Sequence, residues 1–478
     1  MGQTINRNTT IGTIWSAIDR FGIVIMQFII NLVLARLLTP NDFGLVGMIM
    51  IIVAVSNIIA DGGFGAALIQ KLSPNRDDFS TTFYVNVITA FFLYLIVYMV
   101  APIVAAYLGT ELLVDILRIL SLVFVINSMG LVPKVKLRRQ LAFKQIALSN
   151  IVAYIIAALT AILLAYKGFG VWSLIALHII NAILSNFFII TAAHWYPTLT
   201  FSTKSLKELF SFGEYMLISD ILTNICFHIQ SALIGKYFSP STAGQYAQAK
   251  KMEEVVCTTL PIAMGQVLFP VFSQLQHDKG EITKKLSTSI KIMAFAIFPL
   301  LTILIMVAKP LIPFMFGDKW IDAVLYFQAL CVGGFFYPMQ SINYQAIAAV
   351  GKSRTLFYTG ILRSLFLIVS ILIGVRINME ATLIAIVLSN IFNYIVNAAL
   401  VERYIGYKIT QQIIDISGIF LISISSGLLV YSINYQFDIH WILLVVIYLV
   451  LYVIIAYLSK CEALTMVIDF LNKKLHTR

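Results

Sequence analysis

The stretch that decides the fold is Ala35-Arg36-Leu37-Leu38-Thr39-Pro40-Asn41-Asp42-Phe43-Gly44, because it returns as Gly235-Lys236-Tyr237-Phe238-Ser239-Pro240-Ser241-Thr242-Ala243-Gly244. The two copies keep a basic residue, a proline and a glycine in register, and each joins two long apolar segments. Repeats of this kind are typical of membrane transporters, which bind their substrate between the repeated parts. The duplication therefore predicts two related halves with a cavity at the seam.

Composition predicts that the chain lies in a lipid bilayer. Of its 478 residues 60% are hydrophobic and 12% are charged, and the mean hydropathy is +0.92. A soluble domain carries about 25% charged residues. The apolar runs reach roughly 20 residues or more, enough to cross about 30 Å of hydrocarbon as helices, whereas transmembrane strands are shorter and alternate. The first run carries no cleavage signal and is expected to be a retained helix.

These runs predict an all-α polytopic membrane protein with about 14 transmembrane helices. The repeat assigns six to an N-terminal lobe, 1–200, and six to a C-terminal lobe, 201–408, leaving two extra helices and a tail in 409–478. An even number of spans per half makes the repeats parallel. The predicted spans are 11–38, 42–70, 78–108, 111–133, 143–166, 170–194, 211–237, 242–274, 286–308, 320–348, 355–375, 380–402, 412–434 and 440–458.

The cations predict the orientation, because Lys and Arg in short loops favour the cytoplasmic side. One set of alternate loops is strongly basic, with dense groups at 134–144 and 460–478. The opposite set contains only Arg36, Lys167, Lys236, Lys309, Lys319 and Arg376. Both termini are therefore predicted to be cytoplasmic. We attribute the net charge of +11 to this topology and to contact with anionic membrane lipids, since no nucleic-acid motif accompanies it.

No sequence pattern predicts an enzyme or a cofactor. The loops hold at most about a dozen residues, too few for a soluble catalytic domain. The four cysteines and six histidines lack metal-binding spacing, and no Walker A loop is present. Any driving force is then expected from a H+ or Na+ gradient, the membrane potential or the gradient of the substrate. The stretch Ser205–Phe210 fits either an amphipathic segment lying on the membrane or an ordinary linker.

Polar side chains inside the spans are the candidate cavity residues, since ionisable groups are costly in hydrocarbon and usually face water or a partner. Two spans carry a polar stripe along one helix face: Ser16, Arg20, Gln27 and Asn31 in the first, and Asp220, Asn224, His228 and Ser231 in the seventh. The offset of the repeat puts Asp220 where the first half has Arg20, so we expect the stripes to face each other. Arg20 fits alternatively a pair with Asp19 or a position near the headgroups.

The eighth span carries the densest charge, in Lys250-Lys251-Met252-Glu253-Glu254. Pairing at i,i+3 would let each lysine neutralise a glutamate. Two such pairs in hydrocarbon are still expensive compared with two leucines. We therefore predict that Lys250, Lys251, Glu253 and Glu254 line a hydrated lumen, in which the lysines attract an anion such as phosphate and the acids suit a coupling proton or sodium ion.

Other spans contain lesser candidates. Single ionisable residues occur at Asp61, Arg118, Lys291 and Arg363, each of which also fits a paired or snorkelling charge. The tenth span contributes the uncharged group Tyr337, Gln340, Asn343 and Tyr344. This group suits hydrogen bonds to sugar hydroxyls and, equally, the packing of one helix on another. From these residues alone the expected substrate is an amphipathic anion or a charged small molecule.

Six motifs, in their order and spacing, carry a family resemblance: Ala35–Gly47, Asp61–Gln70, Leu137–Phe143, Gly168–Trp172, Val267–Ser273 and Pro313–Trp320. The chain resembles the Wzx-type flippases of lipid-linked oligosaccharides, which export bacterial polysaccharides, within the superfamily that also holds MATE multidrug exporters. The resemblance runs from the first span to about Lys352. It implies a V-shaped bundle of two six-helix lobes, alternately open to cytoplasm and periplasm. One departure is Gln230, where relatives often have Asp, so Asp220 is expected to serve in coupling.

The resemblance also implies the cargo, an oligosaccharide on undecaprenyl pyrophosphate that crosses the bacterial cytoplasmic membrane for surface polysaccharide (O-antigen, capsule or exopolysaccharide). A polysaccharide polymerase and co-polymerase are the implied partners. Three alternatives stay open. A MATE-like cation-coupled drug exporter would have a more acidic lumen, and a flippase of the peptidoglycan lipid precursor would share fold and basic cavity. A membrane polymerase or ligase would be an enzyme, for which the chain has no long periplasmic loop.

Overall fold

The computed structural model describes residues 22–437 and 439–466, where all the regular elements are helices. In chain order the α-helices are α1 Ile23–Leu37, α2 Pro40–Asp61, α3 Phe64–Gln70, α4 Arg76–Leu108, α5 Leu113–Leu120, α6 Leu122–Arg139, α7 Phe143–Tyr166, α8 Val171–Ala193, α9 Thr203–Tyr237, α10 Pro240–Cys257, α11 Thr259–Gln274, α12 Lys279–Phe316, α13 Ala323–Gly334, α14 Tyr337–Ala349, α15 Ser353–Ile377, α16 Met379–Tyr404, α17 Ile409–Phe437 and α18 Trp441–Leu458. The predicted helical fold class is confirmed.

Each of the fourteen predicted spans coincides with one helix or with two consecutive helices, the first span being described only from residue 22 onward. Within the described residues, ten helices or helix pairs are long and apolar enough to cross a membrane. Four predicted spans are interrupted, one of them between α2 and α3. There Gly62 and Gly63 both have positive φ, 59° and 73°, which L side chains rarely adopt.

Several predicted boundaries differ from the structure. Helix α12 covers 279–316 rather than 286–308, because the Asp278 carboxylate caps its start by accepting the N–H groups of Gly280 and Glu281. The helix ends at Gly317, whose φ is 95°. The stretch Ser205–Phe210 is neither a separate surface segment nor a linker, since it forms the beginning of α9. Helical segments thus extend beyond their apolar cores.

The chain divides into two compact units, Met1–Gly244 (unit 1) and Gln245–Arg478 (unit 2). In unit 1, α8 packs on α6 and α7, and α9 packs on α2. Helix α9 runs antiparallel to α2, because Gly235 near its end lies against Met48, whereas the earlier Asp220 is within electrostatic range of Asp61 at the end of α2. The lobes 1–200, 201–408 and 409–478 stay a prediction from the repeat.

The two copies of the duplicated stretch pack against each other inside unit 1. A Cβ atom at Gly44 would overlap the carbonyl oxygen of Pro240, and one at Gly244 would overlap the carbonyl oxygen of Pro40. The contact is reciprocal, as expected for two copies related by a pseudo-twofold axis. Both glycines are required by the close approach of two backbones. The motif that reveals the duplication therefore also forms a close helix-packing contact.

In unit 2 the two additional helices α17 and α18 pack on α12. The hydroxyls of Thr302 and Ser423 hydrogen-bond at 2.8 Å, and Ser423 and Tyr448 do so at 2.8 Å. About two turns closer to the start of α12, Tyr452 donates to the carbonyl of Phe295 at 3.1 Å. Polar contacts at two levels thus fasten the C-terminal helices to unit 2.

Candidate functional site

Three asparagines from three helices form a continuous chain of hydrogen bonds in unit 1, here called the amide ladder. Asn186 on α8 donates from Nδ2 to Oδ1 of Asn127 on α6 at 3.0 Å, and Asn127 donates to Oδ1 of Asn57 on α2 at 3.1 Å. The ends reach backbone carbonyls, since Asn57 also donates to Val53 and Asn186 also donates to Ala182. All three side chains are partly exposed. The ladder is therefore an accessible polar surface between three apolar helices.

Four ionisable residues of unit 1, here called the charge layer, lie beside the ladder: Asp61, Lys134, Arg138 and Asp220. Asp61 follows Asn57 by four residues and Lys134 follows Asn127 by seven, so each shares a helix face with its ladder residue. The Asp61 carboxylate accepts the N–H of Gly65 at 3.1 Å. It lies within electrostatic range of the other three members. Asp61 thus lies in the electrostatic field of one further carboxylate and two cations of unit 1.

The predicted stripe on α9 belongs to the same part of unit 1. Asp220 is exposed, and Asn224 donates from Nδ2 to the carbonyl of Asp220 at 3.0 Å. His228 is partly exposed, with its ring edge-on to Phe227 at a centroid distance of 4.9 Å. Ser231 is buried. Asp220 and Asp61 lie within electrostatic range of each other, a link that the sequence did not suggest.

The predicted stripe of the first span is described only in part. Gln27 is exposed and Asn31 is buried, both on α1. Ser16 and Arg20 lie outside the described residues. The facing of Arg20 and Asp220 stays a prediction.

Arg118 on α5 is held by one tyrosine of α4. Its guanidinium lies 4.1 Å from the ring centroid of Tyr98, and its Nε donates to the carbonyl of Tyr98 at 3.4 Å. Cation–π contacts of this kind are favourable for arginine. This contact matches the paired alternative for Arg118, and a role in binding an anion stays a prediction.

The charged group on α10 separates into exposed and buried members. Lys251 is exposed and Lys250 partly exposed, and both take part in further interactions. The carboxylate of Glu253 lies beside Gly334 of α13, where a Cβ would be 3.4 Å from Oε1. One carboxylate oxygen of Glu254 is buried and makes no hydrogen bond with the described residues. The acids therefore point into unit 2, whereas the Lys251 side chain is accessible.

The polar group on α14 does not form a single surface. Asn343 is fully buried and donates to Oε1 of Gln412 at 2.9 Å. Tyr344 is exposed, and Tyr337 and Gln340 are partly exposed. Asn343 thus has the helix-packing role, whereas Tyr344 is accessible.

Arg363 on α15 is bound by neutral oxygens. Its Nε donates to the carbonyl of Thr359 at 3.3 Å, and Nη1 donates to Oδ1 of Asn397 on α16 at 3.2 Å. Asn397 in turn donates to the carbonyl of Gln340 at 3.3 Å. Among the described residues no carboxylate forms a salt bridge with Arg363, so no ion pair neutralises this guanidinium within its spanning helix.

Lys291 on α12 has two acidic partners. Its ammonium lies 3.2 Å from Asp415 on α17 and 2.6 Å from Glu462. Asp415 also accepts hydrogen bonds from the hydroxyls of Ser287 and Tyr407. The Lys291 and Asp415 side chains are only 15% and 13% exposed. This cluster fastens α17 to α12, which matches the paired-charge alternative for Lys291.

No group of three or more His, Cys, Asp or Glu residues in 22–437 and 439–466 is arranged to hold a metal ion. Coupling to protons, sodium ions or the membrane potential stays a prediction.

Comparison with known proteins decides the family. The sequence profile of the family described as "Polysaccharide biosynthesis protein" matches residues 33–325, more than half of the chain. The chain belongs to this family. Its match includes the duplicated stretch and every member of the amide ladder and the charge layer.

Two curated relatives of this polysaccharide biosynthesis protein match it over most of their length. The teichuronic acid biosynthesis protein TuaB of Bacillus subtilis is 26% identical over 439 residues, 90% of each chain. The succinoglycan biosynthesis transport protein ExoT of Rhizobium meliloti is 28% identical over 367 residues, 76% of this chain and 74% of that protein. The lipid II flippase MurJ, in an inward closed conformation, matches with a TM-score of 0.78 and 17% identity over 95% of this chain and 100% of that one. This polysaccharide biosynthesis protein is thus a polytopic membrane protein with the MurJ fold.

The sequence analysis did not predict the amide ladder. It assigned Lys134 and Arg138 only to a basic loop. Asparagine carries no charge, and Asn57, Asn127 and Asn186 each stand in a different apolar run. The available signal was the spacing, since Asn57 lies one turn from Asp61 and Asn127 two turns from Lys134.

Proposed function

We propose that the protein is a flippase that moves an undecaprenyl-pyrophosphate-linked oligosaccharide across the bacterial cytoplasmic membrane by alternating access. The product would supply a surface polysaccharide such as O-antigen, capsule or exopolysaccharide. The observation that carries the proposal is the juxtaposition, in a polysaccharide biosynthesis protein, of cations and open amides between apolar helices of unit 1. The cargo has the matching parts, a pyrophosphate and a glycan.

The pyrophosphate is the part of the cargo that hydrocarbon excludes most strongly. Lys134 and Arg138 offer it charge-assisted hydrogen bonds. Asp61 and Asp220 would repel the same anion, so that binding remains weak enough for the cargo to be released. Further candidates for binding the anion are Arg20, Arg118, Lys250, Lys251 and Arg363. The polyprenyl chain would remain in the lipid throughout.

The cycle requires a driving force but no enzymatic step. We propose coupling to a proton or sodium gradient or to the membrane potential, with Asp61, Asp220, Glu253 and Glu254 as candidate groups. The basic loops predict that both termini are cytoplasmic, and Lys134 and Arg138 would then stand at the cytoplasmic end of α6. Lipid-linked oligosaccharide would bind there. A polysaccharide polymerase and co-polymerase would receive it on the other side.

The test is translocation of a fluorescent undecaprenyl-pyrophosphate oligosaccharide in proteoliposomes at matched protein insertion. We expect Lys134→Gln/Arg138→Gln to lower the rate by about tenfold or more, because charged hydrogen bonds to the cargo are lost. Lys204→Gln/Lys207→Gln is the control, since it makes the same charge change at two exposed lysines of α9. Lys250→Ala/Lys251→Ala applies the same test to α10.

Transport assays with two further substrates, lipid II and ethidium, distinguish the alternative functions. Movement of lipid II but not of the oligosaccharide probe would identify a flippase of the peptidoglycan precursor. Uptake of ethidium with neither lipid moved would identify a drug exporter. A parent that is inserted and moves none of the three would end the proposal.

A further inference from the structure

We propose that the amide ladder of Asn57, Asn127 and Asn186 is a sugar-binding subsite, which contacts the first sugars next to the pyrophosphate. This inference rests on the proposed function and adds to it the group that recognises the glycan. The evidence for it is the geometry of these three side chains, which lie outside all six sequence motifs.

The ladder has hydrogen-bonding capacity left over. Asn57 and Asn127 each use one amide hydrogen, toward the carbonyl of Val53 and Oδ1 of Asn57 respectively. A second amide hydrogen on each, and Oδ1 of Asn186, have no partner among the described residues. A primary amide has two donor hydrogens and two acceptor lone pairs. Sugar hydroxyls both donate and accept, so donors and an acceptor side by side suit them.

The ladder is also accessible. All three asparagines are partly exposed, although they lie within helices α2, α6 and α8, which span the membrane by length and composition. These three helices pack against one another. An open amide facing hydrocarbon would be costly, so the exposed side of the ladder faces water or a polar ligand. This property separates the ladder from Asn343 of unit 2, which is fully buried.

A glycine keeps the ladder in place before cargo arrives. A Cβ atom at Gly130 of α6 would overlap Oδ1 of Asn186. Because glycine has no side chain, the Asn186 amide has the space to reach Asn127. The hydrogen-bonded amides are therefore already oriented, and binding would not have to order them.

The spacing fits a pyrophosphate followed by sugars. At 1.5 Å per residue, the ladder lies about 6 Å from Asp61 along α2 and about 10 Å from Lys134 along α6. A pyrophosphate held by the charge layer would bring the adjoining sugars to the ladder. The cations would then bind the pyrophosphate, which is common to all such cargoes, whereas the amides would recognise the sugars.

The test compares two fluorescent probes in proteoliposomes, undecaprenyl pyrophosphate bearing N-acetylglucosamine and the same lipid without a sugar. We expect Asn127→Leu to raise the KM for the sugar-bearing probe by about tenfold, and to change transport of the sugar-free probe by less than twofold. Gly130→Ala should act in the same direction, because it displaces Asn186 while all three amides remain.

Unit 2 offers matched controls. A Cβ atom at Gly333 would lie 2.7 Å from Nδ2 of Asn390, so Gly333→Ala crowds an asparagine outside the ladder. Gly333→Ala and Asn390→Leu should leave the preference for the sugar-bearing probe unchanged. An equal loss for both probes in Asn127→Leu and Gly130→Ala would show a structural ladder and overturn the proposal, as would unchanged transport of both. A parent that moves neither probe would overturn the proposed function itself, and the subsite with it.

Discussion

The two units contain polar groups of different kinds within their apolar helices. Unit 1 joins three helices by neutral amides, with unused hydrogen-bonding groups on Asn57, Asn127 and Asn186. Unit 2 joins α12 and α17 through an ion cluster around Lys291 and Asp415, in which the groups satisfy one another. A satisfied cluster fastens helices, whereas an open one is available to a ligand. The difference assigns a recognition role to unit 1 and a structural role to this part of unit 2.

The largest effect should come from breaking the closed cluster of unit 2. We expect Lys291→Met to lower the free energy of unfolding by about 3 kcal/mol, because it removes the cationic partner of the largely buried Asp415 carboxylate. Detergent-based unfolding of the purified protein measures this change. The double variant Lys291→Met/Asp415→Leu should recover most of the loss. Glu462→Gln is the control and should cost less than about 1 kcal/mol, since the Glu462 side chain is 71% exposed. Equal losses in the single and double variants would contradict an ion cluster.

The next effect concerns the two copies of the duplicated stretch, which contact each other reciprocally. Gly44→Ala and Gly244→Ala should each destabilise the protein by about 2 kcal/mol, because the new methyl group meets a carbonyl oxygen of the other copy. The double variant should lose less than the sum, since one separation of the helices relieves both overlaps. Unfolding measurements on the three variants test this. Gly418→Ala is the control, because a Cβ there has open space. Strictly additive losses would argue against one shared contact.

The sequence predicts the helices of both units but not the polar contacts between them, and the reasons are physical. Hydropathy is local, so the sequence predicted a helix or helix pair at every described position, including the separation of α15 from α16. It underestimated α12, because hydropathy marks the hydrocarbon layer while helical hydrogen bonds continue through Lys279–Lys285. The amide ladder depends on residues 70 and 59 positions apart on different helices, and no local pattern contains that information. Lys291 looked like a cavity cation because its partners Asp415 and Glu462 are distant in sequence.

Arg363 sharpens the contrast with Lys291, since both are cations within spanning helices of unit 2. Its partners are the carbonyl of Thr359 and the amide of Asn397, so its removal leaves no unpaired charge. Arg363→Met should therefore change the free energy of unfolding by less than about 1 kcal/mol, against about 3 for Lys291→Met. Unfolding and transport are measured on the same preparations. A stable variant that no longer moves the lipid-linked probe would support anion binding by Arg363, and a large loss of stability would assign it a structural role.

The ion cluster of unit 1 gives another small effect, and it lies at helix ends: Lys71 is in the loop between α3 and α4, Asp78 is in the first turn of α4, and Glu208 is near the start of α9. Lys71 pairs with Asp78 and Glu208, each at 3.0 Å. Burial lowers the pKa of Lys71, but hydrogen bonds and ion pairs with these two carboxylates outweigh it and raise the pKa above its ordinary 10.5. The stability from this lysine is therefore complete below pH 10.5 and is lost as the pH rises through the raised pKa.

Lys71→Met should accordingly cost about 1 kcal/mol at pH 8, and the difference from the parent should shrink by pH 11. Unfolding at the two pH values measures it. Lys204→Met is the matched control, because Lys204 is exposed and has no ion pair among the described residues, and its small effect should not follow this course. A difference that grows with pH would contradict the pairing of Lys71. Agreement would show that unit 1 also uses closed ion clusters, but at the ends of its helices, so that its open polar groups between them remain available to cargo.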